Sequence, residues 1–130
     1  MNRKAVGAAG EDGAARFLEA RGYRMVDAGV RPEGGMARGE IDLIAWHGDT
    51  LAFIEVKTRR TRRGAQGTPG EAVDARKRRQ IVGLALAYIA RHGLDDVACR
   101  FDVVEVVSAP GRPPVFSLVS NAFDASDGAW

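Results

Sequence analysis

The sequence predicts an α/β domain built on a mixed central sheet flanked by helices, and three observations carry that reading. Residues 40–57 hold two strand-like runs whose faces are both largely apolar, as in a sheet covered on both sides. A helical pattern precedes them. A second, longer helical pattern follows and leads into another strand-like run, and a crossover of that length suits a parallel strand pair joined right-handedly. With 130 residues, 45% hydrophobic and 28% charged, the chain reads as one domain over 1–130, long enough for a single core.

Each element has its own signal. In residues 7–21, Glu11, Ala14, Ala15 and Leu18 recur at helical spacing, and Gly22 stands where a C-terminal cap belongs. Residues 23–28 read as a short strand, and 31–38, rich in glycine and charge, as a loop. Strands follow over 40–46 and 51–57, separated by His47-Gly48-Asp49-Thr50, a tight-hairpin signal. Thr68-Pro69-Gly70-Glu71 has the spacing of a capping box, which predicts a helix over 68–92 that stops near Gly93. Residues 100–107 read as a strand, Pro110 to Pro114 as a turn, 115–119 as an edge strand and 121–130 as a tail.

Several function classes are excluded. No apolar run approaches 18 residues, so no membrane span is expected. No hydrophobic signal core follows the N-terminus, so secretion is not expected. The lone Cys99 cannot form an internal disulfide, and a reducing cytoplasm is the expected compartment, with Cys99 a small core residue. His47 and His92 have no partner at metal-ligand spacing, and no glycine run matches a phosphate-binding loop. Neither a serine nor a cysteine nucleophile has a credible base.

The overall charge of +2 hides an asymmetry. Residues 57–79 carry nine cations against two anions, a net of +7; the other ten cations and fifteen anions leave −5. A basic segment on an otherwise acidic chain points to a polyanionic partner, nucleic acid first, although a solvated loop and helix face would look the same.

The hairpin supplies the candidate chemistry. A turn centred between Gly48 and Asp49 sets Trp46 opposite Leu51, Ile44 opposite Phe53 and Asp42 opposite Glu55. Opposed side chains share a side of the sheet, about 5 Å apart. Lys57 follows on that side, roughly 7 Å along the strand. The other side takes Ile41, Leu43, Ala45, Ala52, Ile54 and Val56. Two opposed carboxylates on a buried face repel and lose hydration, and a divalent cation offsets both costs. The competing reading is ordinary: Glu40 opposes Lys57 in the same register, so the lysine has a simple ion-pair partner, and the two acids could sit wet at frayed strand ends. Glu11 shares the apolar stripe of the first helix. Lys77 sits one turn before Ile81, as a functional group or as a lysine snorkelling from the core edge.

These residues resemble a known family. Gly39-Glu40-Ile41-Asp42-Leu43-Ile44 and Phe53-Ile54-Glu55-Val56-Lys57 are similar to the motif of the YraN family of predicted endonuclease-like proteins. Gly7, Gly10-Glu11, Lys77 with Arg79, and Arg100-Phe101-Asp102-Val103-Val104 match as well, covering about 7–107 and leaving 108–130 outside. That family is distantly similar to archaeal Holliday junction resolvases, in the restriction-endonuclease-like superfamily with its PD-(D/E)xK motif. The resemblance implies an αβββαβ core and a Mg²⁺ (or Mn²⁺) ion held by Asp42 and Glu55 with help from Glu11. It implies that Lys57 orients the attacking water or stabilises charge on the phosphate. The basic loop 58–64, with Arg59, Arg60, Arg62 and Arg63, and the helix residues Lys77 and Arg79 would contact backbone phosphates. The implied activity is metal-dependent cleavage of DNA, branched or single-stranded; the rivals are a non-catalytic nucleic-acid-binding module on the same fold and a structural protein with an incidental ion pair. Resolvase relatives act as symmetric dimers, which leaves a homodimer open.

Overall fold

In a computed structural model, residues 3–32, 39–60 and 74–125 are described, with side chains from residue 11 onward. Helix α1 (Arg3–Glu19) leads through strands β1 (Tyr23–Val30), β2 (Ile41–His47) and β3 (Thr50–Arg60) to helix α2 (Ala75–Arg91), then β4 (Ala98–Ser108) and β5 (Val115–Phe123). The strands form one sheet in the order β1-β2-β3-β4-β5. Among the described strands only β3 and β4, joined through α2, run parallel; every other neighbour pair is antiparallel. The chain is therefore α/β with a mixed sheet, in the αβββαβ order of a restriction-endonuclease-like core plus one added edge strand.

The helices cover opposite faces. Ala14 and Leu18 of α1 are fully buried against Leu43, Ala45, Ala52, Ile54 and Val104. On the other side Ile81, Val82, Ala85 and Tyr88 of α2 pack on Ile44, Leu51, Phe53, Phe101 and Val103. Phe53 and Val104, both at 0% exposure, thus lie under different helices. This is why β3 and β4 read as near-continuous apolar runs: residues of both parities need cover.

The hairpin register is the expected one. His47 pairs with Thr50, Trp46 with Leu51, Ile44 with Phe53 and Leu43 with Ile54. Gly48 takes the first central position of the turn with φ 64°, a conformation that glycine adopts without strain.

Several boundaries differ from expectation. β1 runs to Val30 and carries a bulge between Met25 and Asp27. Helix α2 does not continue from Thr68: Asp74 is extended (φ −80°, ψ 175°), and its carboxylate caps the helix by accepting from the Lys77 amide at 2.9 Å. An aspartate whose side chain bonds a backbone donor three residues on competes with helical continuation and so starts the helix. The expected capping box at Thr68 to Glu71 lies outside the described residues. The far end is as expected, with His92 as C-cap and Gly93 left-handed. β5 extends past Val119 to Phe123, so residues 121–123 are strand and not tail. The cause is Phe123, 4% exposed, whose ring stacks 4.9 Å from that of Phe101.

Candidate active site

The ladder between β2 and β3 stops at Leu43 and Ile54, one pair short of Asp42 and Glu55. Strict alternation fails at the same point. Ile41 joins the α2-side cluster with Ile44, and not the α1-side cluster with Leu43. With its backbone out of the ladder, Asp42 uses its carboxylate instead: Oδ2 accepts from the Val56 amide at 2.7 Å. The two acids still meet, though not as ladder partners. Glu55 lies on the α2 side, 7% exposed, with Oε2 3.6 Å from Lys77 Nζ. Its other oxygen, Oε1, is buried with no hydrogen-bond partner among the described residues.

The electrostatics follow from that geometry. Burial first, and then the negative charge of Asp42, push the Glu55 carboxyl up to about 8, against the pull of Lys77. Burial also raises Asp42, opposed by the Val56 amide, with Glu40 adding to the rise. Two carboxylates cannot hydrogen-bond each other. A proton held by Glu55 and donated to Asp42 makes the contact favourable, and a bound cation would do the same.

The cluster widens around Asp42. Glu11, Glu40 and Asp42 each place a carboxylate oxygen within 4.8 Å of the others. Glu11 is where the helical stripe put it. Glu40 is the residue that sequence reasoning missed as a ligand. Its spacing, two before Asp42, is the available signal, although the same register also offers it to Lys57 as an ordinary ion-pair partner. Glu40 is ion-paired with Arg31, at 3.2 Å. An oxygen-only set drawn from a helix and two strands, with one buried oxygen unpartnered, fits a hard divalent cation.

Among the described residues, Lys57 makes no hydrogen bond or ion pair. It stands half-buried on β3, in register with Glu105 of β4. The amine that reaches Glu55 is that of Lys77, delivered by the first turn of α2.

A model of a protein family, described as uncharacterised protein family UPF0102, matches residues 10–106. The chain belongs to that family. The UPF0102 protein of Symbiobacterium thermophilum is 52% identical over 125 residues, 96% of this chain and all of its own length. That of Geobacter sulfurreducens is 42% identical over 123 residues, covering 95% and 91%. UPF0102 is the YraN family that the motif resembles. The matched span holds Glu11, Glu40, Asp42, Glu55, Lys57 and Lys77, and ends before β5.

The basic residues of this UPF0102 protein are spread over different settings. Arg59 is tied inward: its Nη2 donates to both oxygens of Glu105, at 3.0 and 3.2 Å, and Glu105 is 2% exposed. Arg60 is exposed at the end of β3, and Arg79 is exposed on α2. Arg62 and Arg63 lie outside the described residues. Cys99 is half-buried, and burial raises its thiol, which suits packing better than nucleophilic attack. No helix among the described residues is long and apolar enough to cross a membrane.

Proposed function

We propose that this UPF0102 protein is a metal-dependent nuclease that hydrolyses DNA phosphodiester bonds. The supporting observation is the convergence of Glu11, Glu40 and Asp42 within 4.8 Å, beside a buried Glu55 with one oxygen unpartnered. These four residues would hold Mg²⁺ or Mn²⁺. The cation supplies acidification of water and neutralisation of charge on the scissile phosphate. The chain's own groups do the rest. Asp42, fixed by the Val56 amide, orients the donor set. Lys77 neutralises Glu55 from the α2 side. Lys57, without a partner among the described residues, is available to orient the attacking water or to donate to the phosphate. Basic residues of the 57–79 segment position the backbone without reading its sequence. In this reading the protein works in the cytoplasm, and the resolvase resemblance leaves a homodimer open.

One observation favours a second reading. Lys77 already gives Glu55 a counter-ion, so the pocket has a partly neutralised state that needs no metal. A nuclease fold kept as a nucleic-acid-binding module would exploit it. Incubation with plasmid, single-stranded and four-way-junction DNA, in Mg²⁺, Mn²⁺ or chelator, separates the two. The nuclease reading expects metal-dependent cleavage that Asp42→Ala and Lys57→Ala both abolish. Salt-sensitive binding without cleavage, unchanged in those variants, contradicts it.

A further inference from the structure

Helix α2 and the edge strand β1 leave between them a groove of about 990 Å³. Three of its lining residues are cations, Arg31, Arg79 and Arg91, against one acid, Asp27. Asp27 is engaged by the Tyr88 hydroxyl at 3.5 Å. The helix side of the groove is kept low by Gly83 and Ala87, one turn apart and both exposed; a Cβ at Gly83 would meet nothing within 4 Å. His92 is exposed at the helix end, its ring 4.1 Å from that of Tyr88. Arg31 connects the groove to the acid cluster, because it is ion-paired with Glu40.

We propose that this groove is the path of a single nucleic-acid strand toward the acid cluster. The assignment of what lies at its end rests on the nuclease reading above, and the strand-binding itself does not. Arg79 and Arg91 are separated by about 18 Å along α2, given a rise of 1.5 Å per residue. One small anion cannot engage both, whereas a chain of repeating phosphates can. The volume lies at the upper end of the roughly 300–1,000 Å³ typical of small-ligand pockets. That is room for a few nucleotides of one strand and not for a duplex. A basic groove with an exposed ring is the usual arrangement for single strands, because phosphates follow the charge and bases stack. His92 supplies the ring.

The test is fluorescence anisotropy with a labelled oligo-dT 20-mer in EDTA, where no metal chemistry intervenes, across a salt series. The variants are Arg79→Glu, which reverses one charge, and Gly83→Glu, which fills the open floor. Gly83→Glu improves helix propensity at an unobstructed position, so the fold is retained. Each variant is expected to weaken binding at least tenfold. In Arg79→Glu the log–log salt slope should fall by about 0.7, one single-strand phosphate contact. A blunt duplex of equal length should compete poorly. Unchanged affinity in both variants, or equal competition by duplex, overturns the groove. So does a shift from dimer to monomer in sedimentation with DNA binding intact, which would make the groove an interface between copies. Mn²⁺-dependent cleavage scores the nuclease reading separately. Cleavage without groove dependence refutes only the groove, and groove-dependent binding without cleavage refutes only the nuclease.

Discussion

Two buried acids in this sheet have opposite fates. Asp102 on β4, at 0% exposure, is fully provided for. It accepts from the Tyr23 hydroxyl at 2.7 Å, Arg100 Nε at 3.0 Å and the Asn121 amide at 2.8 Å. Arg100 in turn bonds the Tyr23 hydroxyl and His47 Nδ1, which ties β4 to β1, β2 and the bulge of β5. Glu55 on β3 is nearly as buried, yet it has one lysine at 3.6 Å, an acid for a neighbour and an oxygen with no partner. A protein that can satisfy a buried carboxylate this completely at Asp102 leaves Glu55 short, and the proposed cation site rests on that difference.

The comparison breaks most visibly at Asp102. Asp102→Ala leaves the partly buried Arg100 uncompensated and the Asn121 amide without its acceptor. The expected loss is about 3–5 kcal/mol in denaturant unfolding. Near-wild-type stability would mean that the network is ornamental and the contrast with Glu55 void.

The middle effect is pH dependence. The folded-state Glu55 carboxyl is raised to about 8, above its ordinary 4.5, so the folded protein holds its proton more tightly than the unfolded chain does. Its contribution is therefore fully present below about 4.5 and is lost as pH rises toward 8. Metal-free melting temperature should fall across that window. Glu55→Gln should flatten the fall, and Mg²⁺ should reverse it, because ligand deprotonation favours binding. A metal-free melting temperature constant over the window would contradict the arrangement.

The smallest effect is at Asp42. Asp42→Asn keeps an acceptor for the Val56 amide and removes the repulsion with Glu55, so metal-free stability should be unchanged or slightly raised. Asp42→Ala strands that amide and should cost about 1–3 kcal/mol. Equal losses in both, read by urea denaturation, would show that the charge of Asp42 is itself structural.

Much of this was legible in the sequence. The hairpin register follows from Gly-Asp between two apolar runs, and the parallel pair from the length of chain between β3 and β4. Glu11 could be placed because Ala14, Ala15 and Leu18 fix the face of α1. What was hidden depended on departures from regularity. Pattern alone does not show that β2 leaves the ladder at Asp42, and that departure brings Glu40 and Glu11 to the same point. The Arg59–Glu105 pair spans 46 positions, so a basic residue expected in a phosphate-facing loop is a β3 strand residue and in part an internal partner. Asp74 and Thr68 are both good N-caps, and only the folded context chooses between them. Phe123 looked like tail because its reason for being strand is Phe101, far away in the chain.

The proposed cation site lies among Glu11, Glu40, Asp42 and Glu55. Anomalous diffraction from a crystal soaked in Mn²⁺ decides whether an ion binds there. The arrangement predicts one peak bonded to Asp42 and to at least one other of these acids. A map with no peak there, and the Glu55–Lys77 pair unchanged at saturating Mn²⁺, would contradict it.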